Sequence, residues 1–297
     1  MTALRSWLFV PADSERKLAK ASTSPADVLI LDLEDAVAES RKAVAREMAA
    51  SYIAARYIAA DSGSLAASLY VRINPLDSPS ALHDLAGVVL PGLAGIMLPK
   101  MRGAADLLRL SHMLDVLEAR AGLAAGAVRI IPVATETPEA MLQMGSMAGC
   151  ALPRLAAITW GAEDLSAAVD AVANRDEDGT YAPLYQWAGA LCLCTAAAAG
   201  VPAIDTLHVD FRDDAGLRAA CRASRRRGYR GRIAIHPDQV AAINEAYSPS
   251  AAELAHARRI VDAFAAQPDA GALSLGGLMI DKPHLTQARR TLGLPAS

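Results

Sequence analysis

The chain has 297 residues, of which 53% are hydrophobic, 4% aromatic and 21% charged, and its formal net charge is −3. That balance describes an Ala-rich globular protein and excludes the broad basic surface of a nucleic-acid binder. Its four cysteines, Cys150, Cys192, Cys194 and Cys221, have neither CxxC spacing nor a histidine cluster beside them, which argues against a zinc site and for reduced thiols in a cytosol.

From Met1 the sequence passes through Arg5 straight into a short apolar run, residues 7–10, closed by Pro11 and charged residues. The run is too short for a signal peptide or a membrane span, so a cytoplasmic protein is expected. Seven more β-rich runs follow, at 28–33, 69–73, 95–98, 129–134, 157–160, 203–209 and 232–235. Helical, Ala-rich stretches separate them, as expected of parallel strands joined by crossover helices. Eight such units without a long linker fit a closed (β/α)8 TIM barrel better than an open doubly wound sheet. Residues 237–267 then read as helix, capped by Asp238, and 276–283 as an apolar tail with paired glycines. The expected organisation is a catalytic barrel over 1–240 and a C-terminal helical extension and tail over 241–297. Asp176-Glu177-Asp178-Gly179 resembles part of a calcium loop but lacks the closing glutamate, and Arg225-Arg226-Arg227 reads as a solvated helix C-terminus.

In such a barrel the site lies at the carboxyl ends of the strands, and here most runs end in polar residues. Strand two ends in Asp32, Glu34 and Asp35, strand three in Arg72 and Asn74, strand four in Lys100, strand five in Glu136, strand six in Glu163 and Asp164, and strand eight in His236. So many carboxylates on one rim repel one another unless a cation compensates, and oxygen-only donors point to Mg2+, with Glu136 and Asp164 on adjacent strands as its ligands. Arg72 adds a planar two-pronged donor. Metal and arginine together suit the grip of a 2-oxo acid and the charge of a thioester enolate.

Lys100 raises the rival chemistry of a Schiff-base aldolase, but carboxylate neighbours favour its charged form and oppose attack by a neutral amine. Arg16, Lys20, Arg41 and Lys42 follow the first two strands, where they suit the phosphates of coenzyme A or simply a solvated helix surface.

Ordered motifs run through the chain: Arg5-Ser6-x-Leu8-Phe9-Val10-Pro11, Leu31-Asp32-Leu33-Glu34-Asp35-Ala36-Val37, Val71-Arg72-Ile73-Asn74, Leu98-Pro99-Lys100, Glu136-Thr137-Pro138, Trp160-Gly161-Ala162-Glu163-Asp164-Leu165 and Ala234-Ile235-His236-Pro237. Over nearly its whole length the chain resembles the citrate lyase beta subunit-like branch of the HpcH/HpaI aldolase family, which includes malyl-CoA and citramalyl-CoA lyases. The resemblance implies a TIM barrel assembling as a homotrimer or hexamer, with Mg2+ on Glu136 and Asp164 and with Arg72 on the oxo-acid or thioester oxygens. It implies that Phe9, Arg16, Lys20, Arg41, Lys42, Ile235 and His236 line the thioester site. Glu163 joins this binding set, and Glu34 and Asp35 the catalytic set. The acid matching Asp281 would come from a neighbouring subunit and handle the proton. Ala12 and Asp13 depart from a usual glycine, and Gly276 from a frequent aspartate. The expected activity is a Mg2+-dependent carbon–carbon lyase on a 3-hydroxyacyl-CoA, yielding an acyl-CoA and a 2-oxo acid. The alternatives are a malyl-CoA thioesterase, a 4-hydroxy-2-oxo acid aldolase and an acyl-carrier-dependent citrate lyase beta subunit. Nucleic acid and membrane are not expected partners.

Overall fold

Each of the eight apolar runs forms a strand, and the computed structural model describes residues 4–60 and 67–295. The strands are β1 (Ser6–Pro11), β2 (Val28–Asp32), β3 (Ser68–Arg72), β4 (Gly95–Leu98), β5 (Arg129–Pro132), β6 (Ile158–Thr159), β7 (Ala203–Asp205) and β8 (Gly231–Ala234). Between and after them run α1 (Glu15–Ser22), α2 (Lys42–Ala60), α3 (Ala81–Val88), α4 (Ala104–Ala121), α5 (Pro138–Gln143), α6 (Glu163–Ala168), α7 (Pro183–Ala198), α8 (Asp214–Arg227) and α9 (Gln239–Tyr247). All paired strands are parallel, in the order β5-β4-β3-β2-β1-β8-β7-β6. Two isolated bridges, Ile130 with Leu155 and Val133 with Thr159, join the ends of the sheet, and Ala134 N donates to Thr159 O at 2.8 Å. The sheet is thereby a TIM barrel, as expected. The short leading segment read against a leader begins at residues 1–3, which lie outside the described residues.

Both faces of the strands are buried, which is why the runs are continuously apolar instead of alternating with polar residues. The two-residue period sends Trp7, Val28, Ile30, Tyr70, Met97, Ile131, Ile204 and Ile233 into the barrel, while Leu8, Leu29, Leu31, Val71 and Ile96 pack under the helices. Trp7 and Tyr70 cross inside the barrel, ring centroids 5.2 Å apart. Gly95 is required beside them, because a Cβ there would lie 2.3 Å from Tyr70 Cε1 and 2.7 Å from the Arg129 carbonyl. Behind the wall, Asp205 takes the Arg232 guanidinium and, at 2.8 Å, the Trp160 indole N–H, so β7, β8 and the end of β6 are tied by a buried ion pair.

Residues 4–247 form one compact unit and 248 onward a second, so the division falls after α9, seven residues past the expected 240. The stretch read as helix over 237–267 is two helices, α9 and α10 (Ala251–Ala266). Pro249 has no N–H to donate and disfavours helical Ser248; Ser250 then restarts the helix, accepting from Glu253 N at 3.2 Å while Glu253 Oε2 accepts from Ser250 N at 2.7 Å. The tail is a hairpin of β9 (Ala272–Leu275) and β10 (Leu278–Asp281), followed by α11 (Lys282–Thr291). Gly276 and Gly277 form its two-residue turn with φ of 61° and 82°, the left-handed pair of a type I′ turn. Ile260, Phe264 and Ile280 are the small core of this second unit. No described helix is long and apolar enough to cross a membrane.

Candidate active site

The inward register of β2 and β3 sets Asp32 directly opposite Arg72. Arg72 donates from Nε to Asp32 Oδ1 at 2.8 Å and from Nη2 to Asp32 Oδ2 at 2.7 Å, a two-pronged grip that fixes the guanidinium plane. Asp32 also accepts from Glu34 N at 3.0 Å and Ala36 N at 3.2 Å, which turns the chain after β2. The remaining Arg72 nitrogen, Nη1, lies 3.0 Å from Glu34 Oε2 and 3.8 Å from Asp35 Oδ2, and the guanidinium covers the Phe9 ring at 4.6 Å. Burial opposes the charge on Arg72, but the hydrogen bond and charge of Asp32 and the charges of Glu34 and Glu136 outweigh it and hold its pKa above the ordinary value.

Across the rim, Lys100 follows β4 with φ of 49°, a left-handed conformation rare outside glycine. The conformation points its backbone N–H at Glu136 Oε2, 2.6 Å away. Its ammonium reaches Glu34 Oε1 at 2.5 Å, Asp35 Oδ1 at 3.1 Å and Asp164 Oδ1 at 3.2 Å. Burial pushes the Glu136 carboxyl up to about 8, with Asp164 adding to the effect and the Lys100 N–H opposing it. Glu34 is likewise raised by burial, to about 7, against the pull of Arg72 and Lys100. Gly161 leaves room for this arrangement, since a Cβ there would sit 3.1 Å from Glu136 Cγ.

Lys100 itself is held more basic than an ordinary lysine: desolvation lowers its pKa, but the bond to Glu34 and the charges of Glu34 and Asp164 prevail. A persistently protonated amine cannot attack a carbonyl, which argues against the Schiff-base alternative. Five carboxylates, Asp32, Glu34, Asp35, Glu136 and Asp164, thus face two protein cations, and both cations are already engaged. Asp32 is fully committed to Arg72, which leaves Glu136 and Asp164 as the least compensated pair. Among the described residues no group of three or more His, Cys, Asp or Glu forms a metal cage. Two hard oxygen donors suit Mg2+, which completes its shell with waters and substrate oxygens, better than a metal that demands a full protein shell.

The other predicted residues fall into separate groups. Arg16 and Lys20 are exposed on α1. Arg41 donates from Nη2 to Asp13 O at 2.8 Å and pairs with the Asp13 carboxylate at 3.5 Å, so the residue in the usual glycine place ties down this arginine. Lys42 differs from the expectation of a phosphate ligand: its ammonium donates to Leu33 O (3.1 Å), Glu34 O (3.2 Å) and Asn74 Oδ1 (2.6 Å), which uses all three hydrogens as a brace under the Glu34 turn. Glu163 is exposed at the start of α6. Ile235 is exposed after β8, and His236 stacks on Phe211 with centroids 4.8 Å apart. In the C-terminal unit Asp281 caps α11 and bonds His284 Nδ1 at 2.5 Å, which holds its carboxyl below the ordinary range. One neighbour of the predicted residues, Phe211, was not expected from the sequence. Phe211 is one of only three phenylalanines, set in the polar stretch His208-Val209-Asp210-Phe211-Arg212-Asp213, and that isolation was its signal. The carboxylate neighbours expected around Lys100 are Glu34, Asp35, Asp164 and, through its main chain, Glu136.

The family described as HpcH/HpaI aldolase/citrate lyase matches residues 5–237. A citrate lyase subunit beta-like protein of Mycobacterium tuberculosis is 34% identical over 286 residues, covering 96% of this chain and 93% of that one. A (3S)-malyl-CoA thioesterase of Cereibacter sphaeroides is 33% identical, covering 97% and 93%. Among solved structures, CitE from Mycobacterium tuberculosis in complex with magnesium, acetoacetate and coenzyme A superimposes with a TM-score of 0.75 at 31% identity, covering 98% of both chains.

Proposed function

Because the chain belongs to the HpcH/HpaI aldolase/citrate lyase family, we propose that it is a Mg2+-dependent carbon–carbon lyase that splits a short 3-hydroxyacyl-CoA into an acyl-CoA and a 2-oxo acid, or joins them. The observation that carries this reading is the convergence of Glu136 and Asp164 on Lys100, beside Arg72. A Mg2+ ion held by Glu136 and Asp164 would supply a two-point grip on the 2-oxo acid and a counter-charge for developing oxyanions. Arg72, its plane fixed by Asp32 and Phe9, aims Nη1 toward the Glu34 side of the site and supports the thioester oxygen as negative charge develops there. In cleavage the 3-hydroxyl loses its proton, the adjacent carbon–carbon bond breaks, and the electron pair passes to the thioester enolate, which is then protonated at carbon. Asp281 of a neighbouring subunit in a homotrimer or hexamer handles the proton on this reading, with Glu34 and Asp35 completing the catalytic set. Arg16, Lys20 and Arg41 meet the phosphates of coenzyme A, and Phe9, Glu163, Ile235 and His236 line the thioester and acyl portions.

Glu136→Ala should abolish turnover and its Mg2+ dependence while leaving far-UV circular dichroism unchanged. Full retained activity would remove Glu136 from the mechanism. A panel of CoA thioesters assayed with Mg2+ identifies the acyl group. The likeness to a (3S)-malyl-CoA thioesterase favours a second reading, in which the thioester is hydrolysed. Free CoA released without acyl-CoA selects the thioesterase; recovered acyl-CoA selects the lyase.

A further inference from the structure

Lys100 bonds both expected metal ligands, Glu136 through its main chain and Asp164 through its side chain. Its conformation is not a relaxed one, because a left-handed backbone crowds the Cβ of any residue other than glycine. Among the described residues only Asp170 shares it. The strained backbone gives a specific geometry. The N–H anchors Glu136, and the side chain extends into the carboxylate cluster to end within 3.2 Å of Glu34, Asp35 and Asp164 together. Three acidic side chains thus converge on one ammonium, and one of them, Asp164, is an expected metal ligand.

We propose that Lys100 is a resident stand-in for the divalent cation: its ammonium holds Asp164 in place while the metal is absent and gives Asp164 up when the metal arrives. This rests on the reading of Glu136 and Asp164 as metal ligands. Asp164 cannot bring an oxygen to a dication while that oxygen stays 3.2 Å from a full positive charge without the two cations repelling each other. The ammonium keeps two other partners, Glu34 and Asp35, onto which it withdraws without leaving the site. The backbone bond to Glu136 does not involve the side chain and persists through the exchange. Lys100 is therefore a positioning residue that spaces the two ligands in the metal-free protein and sets how tightly the metal is held, at the expense of affinity.

The test is a calorimetric titration of chelator-stripped protein with Mn2+ at fixed pH, for the parent, Lys100→Met and Lys100→Gly. Met removes the charge and keeps the side-chain volume; Gly removes the charge and relieves the backbone. Both should bind Mn2+ about tenfold more tightly or better, because a like charge is gone from the site. A residue that merely braced the fold would leave affinity unchanged or weaken it, and that result in both variants overturns the proposal. Should neither variant fold, the native chain decides. It contains five lysines, so selective lysine 15N labelling resolves each ammonium signal, with Lys100→Arg for assignment. Saturating Mg2+ should shift the Lys100 signal and leave that of Lys42 in place; an unmoved Lys100 signal refutes the exchange. A parent that takes up no Mn2+ refutes the ligand assignment itself, whereas a parent that binds with unchanged variants refutes only the role of Lys100.

Discussion

Glu34 and Glu136 carry a pH dependence with a defined sign. Their carboxyls titrate in the folded chain near 7 and 8 against an ordinary 4.5, with burial as the leading cause for both. Between about pH 4.5 and 8 the folded state therefore binds more protons than the unfolded one, so these groups make stability fall as pH rises through that window. Mg2+ favours the ionised carboxylates and acts in the opposite direction. The rise in Tm caused by Mg2+ should be larger at about pH 8.5 than at about pH 6; equal increments at the two values would contradict the assignment. The sequence displayed all five acids of the rim, but not how they divide their partners. That Asp32 is committed to Arg72 follows from strand register, and that Lys42 is consumed by three local acceptors follows from the turn after β2. Residue type alone carries neither fact.

At the scale of elements the barrel strands were legible because burial on both faces leaves uninterrupted apolar runs, each ended by a polar residue at the rim. The break at Ser248-Pro249-Ser250 was written in the same letters, yet helical periodicity on both sides of it reads as one segment. The hairpin of the second unit was hidden because its strands are only four residues long, too short for alternation to be told from a loop. The left-handed backbone of Lys100 had no local signal, since it answers to a carboxylate 36 residues away. Gly95 gives this scale its test. Gly95→Ala drives a methyl into Tyr70 and the Arg129 carbonyl, and overpacking of this kind costs about 1–3 kcal/mol. A thermal melt should show Tm lowered by several degrees, with Mn2+ affinity of the folded fraction retained. An unaltered Tm would mean that the strands shift freely to accommodate the methyl.

For the whole molecule, the proposed sharing of Asp281 between subunits makes a mixing experiment decisive. Glu136→Ala and Asp281→Asn proteins, each inactive alone, should recover part of the parental activity when unfolded together and reassembled, because some sites then receive both intact residues. No recovery from well-folded mixed oligomers would confine each site to one chain. The closure of the barrel has a consequence of a different kind. β1 and β2 share five paired positions, whereas the chain around β5 and β6 is joined by two isolated bridges and a few main-chain hydrogen bonds. Glu136 emerges just beyond one side of that sparse seam and Asp164 just beyond the other. An ion shared by the two would act as a rivet across this joint of the wall. Deuterium uptake at the Ala134 amide, which spans the joint to Thr159, should then slow on addition of Mg2+, while uptake along the β1–β2 pairing stays as it was.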